Sequence, residues 1–163
     1  MTPPTIYWHF ASMDALLSEV IDRAFTALLA ALETIDPAAA PRERLRAAVR
    51  IYKDFALANP RAYHTMFIAP DPGRGVLHGS RNSVGKQSFA ILRGIVGDCI
   101  DSGQLSAETS ENAALAMWGL VHGLVALQLA NKIGMEPSDF DGFFTHAFAV
   151  LLRGLAPDSP SAR

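Results

Sequence analysis

Cysteine is almost missing from this chain. Cys99 is the single example among 163 residues, so no intrachain disulfide framework can staple the fold. Period-two alternation is missing too, and no turn dipeptides join β-rich runs, which removes the sandwiches and barrels. Catalytic signatures are absent: there is no Gly-x-Ser-x-Gly, no His-Glu-x-x-His and no phosphate-cradling loop ending in Gly-Lys-Ser/Thr. His9, His64, His78, His122 and His146 are scattered without ligand spacing, so no metal or cofactor is expected. A positively charged n-region with a cleavage site is lacking, which makes a cytoplasmic protein the default reading. Basic charge is short as well. The formal net charge is -2, whereas a domain that grips DNA unaided is usually basic, because phosphate contacts supply most of the affinity.

The longest gap in charge runs from Asn112 to Asn131, without Asp, Glu, Lys or Arg. Its length is roughly the 20 residues that a membrane-spanning helix needs. However, it contains His122 and Gln128 and is rich in alanine and glycine. A helix buried on two faces, one in its own core and one against a partner, has the same composition, and that soluble reading is adopted here.

What is present is helix. Half of the residues are hydrophobic and 18% are charged, the balance of a packed globular domain. From Leu16 to Leu32 apolar residues recur at the spacing of a one-sided helix, with Ser12 as its expected N-cap. Pro37 and Pro41 mark a linker, after which Leu45, Ala48, Val49, Tyr52, Phe55 and Ala56 share one face of a second helix, with Arg42, Arg44, Arg46 and Lys53 mostly off it. Asn59-Pro60 breaks that helix and a short one follows to Ile68. Residues 69–80, with Pro70, Pro72, Gly73, Gly75 and Gly79, read as a loop. A fourth helix spans Arg81 to Ser102, with Gly103 as its C′ residue. Ser106 is the expected cap of the long uncharged helix, which should run to Lys132 or Ile133. Ser138 is the expected cap of the last helix, whose stripe is Phe140, Phe143, Phe144, Ala147, Phe148, Leu151 and Leu152. The fold class is all-α, a bundle of about six helices.

Two stretches carry a family resemblance. Thr5, Ile6, Tyr7, Trp8, His9 and Phe10, followed by Ser12 and Ala15-Leu16-Leu17, resemble the end of the DNA-reading domain of TetR-type transcriptional regulators. There a recognition helix ends in a Thr-aliphatic-Tyr-aromatic-His-Phe run before a long helix. Trp118 to Gly123, reading WGLVHG, is similar to a Trp-x-x-x-His-Gly motif in the C-terminal domain of one TetR subgroup.

The resemblance implies a homodimer that senses a small-molecule effector and engages an operator as a repressor, with no enzyme activity. By it, residues 1–11 are a remnant of the helix-turn-helix domain and 12–34 a connecting helix. Residues 41–155 are a ligand-binding and dimerisation domain, and 156–163 a tail. Thr5, Tyr7, Trp8 and His9 would meet the DNA backbone, positioning the protein without reading bases. Met13 stands where the family usually carries a phosphate-binding lysine. The family also places two helices before this motif. The sequence is therefore expected either to begin at an internal codon of a longer gene, or to be an interaction module without DNA binding. An enzyme on a helical bundle is the remaining alternative.

Within the helical part, Tyr52, Phe55, Tyr63, Met66, Phe67, Phe89, Trp118 and His122 are the expected effector contacts, mixing aromatic bulk with a few polar tips. Trp118 and His122, four residues apart, share a helix face. For any single one of these residues an ordinary core role is the more common outcome. A second face of the same helix carries Gly119, Gly123, Ala126 and Ala130, small residues that admit another helix closely. With Phe143, Phe144, Ala147 and Leu151 of the last helix they are the expected dimer contacts.

Overall fold

The computed structural model describes residues 13–67 and 83–157. The expected DNA contacts Thr5, Tyr7, Trp8 and His9, the cap Ser12 and the loop 69–80 lie outside the described residues. Six helices follow in order: α1 (Met13–Leu32), α2 (Pro41–Ala58), α3 (Pro60–Phe67), α4 (Ser83–Asp101), α5 (Ser110–Leu129) and α6 (Pro137–Gly154). The described residues contain no strand, as the all-α reading requires.

Several helix ends have a local cause. Pro41 opens α2 at N1, where its fixed φ suits a helix and its missing N–H costs nothing. Asn59 closes α2, its Nδ2 donating to the Phe55 carbonyl at 2.9 Å, and Pro60 opens α3 one residue later. Gly103 ends α4 at φ +69°. The bonds Gln104 N–H to Cys99 O and Gly103 N–H to Ile100 O form the paired closure of a Schellman motif. At the end of α5 Asn131 takes the same role at φ 52°, with Lys132 N–H bonded to Leu127 O and Asn131 N–H to Gln128 O. The helix therefore ends earlier than Lys132.

The starts of α5 and α6 also differ from expectation. Thr109 rather than Ser106 caps α5, its hydroxyl oxygen accepting from Asn112 N–H at 3.1 Å. Ser106 is engaged elsewhere, its N–H tied to the Leu155 carbonyl at the end of α6 at 2.7 Å. For α6 the cap position is Glu136 and Pro137 stands at N1, so Ser138 lies inside the first turn.

The core lies where α1, α2, α4 and α5 meet. α1 packs on α2, α3 and α4; α5 packs on α2, α4 and α6. Leu45, Ala56, Val96, Ala114, Met117, Val125 and Phe140 are all at 0% exposure. Fully burying a side chain of Leu, Phe or Met size contributes about 1.5–3 kcal/mol. One ion pair fastens α2 to α4, Arg44 to Asp98 at 2.9 Å. α5 is long and apolar enough to cross a membrane by length and composition, yet it is only partly buried within this chain.

Candidate functional site

Four helices bring six ring-bearing residues to one place. Tyr52 comes from α2, Tyr63 and Phe67 from α3, Phe89 from α4, and Trp118 and His122 from α5. The helical period explains the convergence: residues four apart on α3 and on α5 stack on one face, and those faces meet. Phe67 is the hub. Its ring lies 5.3 Å from Tyr63, 5.2 Å from His122 and 6.0 Å from both Tyr52 and Trp118, spacings at which aromatic pairs attract. Phe89 meets Trp118 edge-on at 6.1 Å.

The polar tips satisfy one another. Tyr52 Oη lies 2.8 Å and Tyr63 Oη 2.9 Å from His122 Nδ1. Tyr63 also donates to the His122 main-chain carbonyl at 3.1 Å. Trp118 Nε1–H donates to Tyr52 Oη at 3.4 Å. Burial pushes the His122 imidazole below its usual 6.5, so the neutral ring is favoured; in the tautomer protonated at Nε2, Nδ1 accepts a tyrosine proton. Burial also raises both phenols, Tyr63 to about 12 and Tyr52 further, with the neighbouring Tyr63 adding to the effect on Tyr52. The cluster is therefore a set of neutral groups, joined by hydrogen bonds.

Beside this cluster is a cavity of about 50 Å³. Tyr52, Phe67, Phe89 and Trp118 form part of its wall, as the sequence suggested. Tyr63 and His122 stand behind Tyr52 and hold it. Phe55 and Met66 are half-buried and pack on the core away from the wall. Pattern reading missed the wall from α1, namely Phe25, Leu28 and Leu32, and Ser88 from α4. The stripe of α1 was visible, but not which helices it would meet. Phe25 touches Phe67 edge-on at 5.4 Å and 78°, which joins α1 directly to the aromatic hub. Among the described residues no three His, Cys, Asp or Glu side chains gather to hold a metal ion.

A second feature is the outer surface of α5 and α6. Leu127, Phe143 and Val150 are large, apolar and 36–48% exposed. Gly119 and Gly123 share the face of Leu127 on α5 at four-residue spacing, and a Cβ added to either would meet nothing within 4 Å among the described residues. Ala126, Ala147 and Leu151 are half-buried and Ala130 is exposed. Phe144 departs from the expectation. It is 3% exposed and packs on Phe140 at 6.0 Å, because the inward stripe of α6 is the i+4 series Phe140, Phe144, Phe148 and Leu152. It belongs to the core of the protomer.

Lys53 also departs from expectation. It is buried to 6% exposure on α2, with its ammonium 2.7 Å from Asp54, bonded to Asp141 of α6, and 5.9 Å above the Phe144 ring. Burial alone would lower its pKa, but the two carboxylates outweigh it and the group stays charged. In return Lys53 holds the Asp141 carboxyl below its usual range. The pair ties α2 to α6.

Comparison with known proteins places these features in a family. The model of the tetracyclin repressor-like C-terminal domain matches residues 45–151. Among solved structures, a protein of unknown function from Rhodococcus sp. RHA1 is 26% identical, with a TM-score of 0.76 over 91% of this chain and 76% of that one. A bacterial regulatory protein in the TetR family from Rhodococcus RHA1 shares the fold at 18% identity, with a TM-score of 0.73 over 98% of this chain and 82% of that one. No curated protein matches the chain.

Proposed function

Since the chain belongs to the TetR family, through its tetracyclin repressor-like C-terminal domain, we propose that it is the effector-sensing and dimer-forming part of a transcriptional repressor. One observation carries this reading: α1 forms a wall of the aromatic cavity. By the family resemblance α1 is also the helix that leads to the DNA-reading head. A molecule that fills the cavity pushes on Phe25, Leu28 and Leu32 and so biases the setting of α1. Two heads must sit about one DNA turn apart to engage both half-sites, and a small tilt of α1 is amplified at that distance.

The reading assigns the dimer contact to the outer face of α5 and α6, with Gly119, Gly123, Ala126, Ala130, Leu127, Phe143, Ala147, Val150 and Leu151 against a second copy. Open glycines beside exposed Leu and Phe suit close helix approach across a two-fold axis. The uncharged surface of α5 then faces protein rather than lipid, and the protein is soluble and cytoplasmic. Thr5, Tyr7, Trp8 and His9 remain the proposed DNA contacts, and no catalytic role is assigned to any residue.

Sedimentation velocity of the purified chain tests the assembly: a dimer at micromolar concentration is expected, converted to monomer by Leu127→Glu. A monomer in the unaltered protein overturns the dimer assignment. Retention of genomic DNA fragments by the protein, released on addition of an effector, tests the repressor role.

A further inference from the structure

We infer that the cavity takes a small uncharged molecule built on a single apolar ring and rejects charged molecules of the same shape. The inference rests on the sensor reading above and names the chemistry of its effector.

Three observations lead to it. First, no described residue of the wall is charged. Five rings, those of Phe25, Tyr52, Phe67, Phe89 and Trp118, converge there from α1, α2, α3, α4 and α5. A ring entering among them finds edge and face partners on several sides. Second, the polar atoms on the wall are already engaged. Ser88 Oγ donates to the Val84 carbonyl at 3.1 Å, Trp118 Nε1–H is directed at Tyr52, and Tyr52 is bonded to His122 Nδ1. A carboxylate or ammonium placed there loses its water and gains no counter-charge, which is the costly form of burial. The neutral His122 behind the wall offers no compensation. Third, the space is small. A cavity of about 50 Å³ is about a third of the roughly 150 Å³ apolar cavity that admits benzene, so a single ring is the upper limit of occupant, and its entry has to push the wall outward.

The test is calorimetric titration of the full chain with four probes of similar shape: toluene, benzyl alcohol, benzoate and benzylammonium. The two neutral probes should bind, and the two charged ones at least about tenfold more weakly. Ser88→Phe and Leu92→Trp, which fill the cavity from successive turns of α4, should each weaken toluene binding by about tenfold or more, with helicity by circular dichroism confirming that the variant is folded. Benzoate or benzylammonium binding as tightly as toluene, and blocked by the same variants, overturns the inference but leaves the cavity as a sensor. Neutral binding that neither variant alters places the site elsewhere and overturns both readings. Failure of all four probes to bind overturns the inference on the unaltered protein, whatever the variants do.

Discussion

Two tyrosines compete for one nitrogen, and that redundancy makes an unusual stability pattern. Tyr52 Oη and Tyr63 Oη lie within 2.8 Å and 2.9 Å of His122 Nδ1, but a neutral imidazole nitrogen has one lone pair. With Nδ1 unprotonated, in Tyr52→Phe the Tyr63 hydroxyl can turn its single proton from the His122 carbonyl to Nδ1. In Tyr63→Phe, Tyr52 takes over. Tyr63→Phe therefore removes about one ordinary hydrogen bond, a cost of about 1 kcal/mol, and Tyr52→Phe adds to this the loss of the 3.4 Å bond from Trp118 Nε1–H. The double variant differs in kind, because Nδ1 then has no protein donor. A half-buried acceptor without a partner costs about 1–3 kcal/mol. The double variant should therefore exceed the sum of the singles by about 1 kcal/mol or more, within the range seen for coupled neighbours. In a protein of this size 1 kcal/mol corresponds to about 2–4 °C in Tm.

Urea denaturation followed by circular dichroism gives the three differences. It must be run at one protein concentration, since a dimer's apparent stability depends on it. An additive double variant, with m-values unchanged, would refute the idea that the tyrosines share one acceptor.

Other consequences follow from the same geometry. His122 has a folded-state pKa below its unfolded value of about 6.5, so the unfolded chain binds the extra proton first. Its contribution to stability should be intact above the unfolded value and decline as pH falls below it; a His122→Gln variant should flatten that dependence in a pH series of thermal melts, and an unchanged series would show that another group is responsible. Phe140→Ala removes a ring at 0% exposure and should cost about 3–5 kcal/mol, read by the same urea titration; less than about 1 kcal/mol would mean that α6 is loosely docked. Gly103→Ala places a Cβ at φ +69° and should cost about 1–2 kcal/mol despite open space around it, while Gly94→Ala, inside α4 and equally open, should be stabilising by about 0.5–1 kcal/mol. Gly123→Leu adds bulk where this chain has room, so it should leave the monomer folded and weaken only the dimer in sedimentation; an intact dimer would remove Gly123 from the interface.

The chain's own pattern determined the number of helices, their order and most of their apolar stripes, because amphipathic spacing is a property of successive residues. The stops at Asn59 and Gly103 were equally legible, since proline chemistry and left-handed φ are local. The aromatic and histidine residues of the site could be singled out because they are bulky or polar on otherwise apolar faces. Tertiary structure alone decided the remainder. Tyr52 and His122 are 70 positions apart, and no local rule pairs them. The α1 wall of the cavity depends on which helices α1 meets. Ser106 looked like a cap, but α5 starts behind Thr109, and the Ser106 N–H is tied instead to the Leu155 carbonyl just past α6. α6 carries phenylalanines on two faces, and only packing against α5 selects Phe140, Phe144 and Phe148 for the core and leaves Phe143 outside. Lys53 is buried because Asp141, remote in sequence, arrives beside it. Local sequence sets what each helix can bury; the contacts between helices choose among those options, because a polar group enters the interior only where another part of the chain supplies its partner.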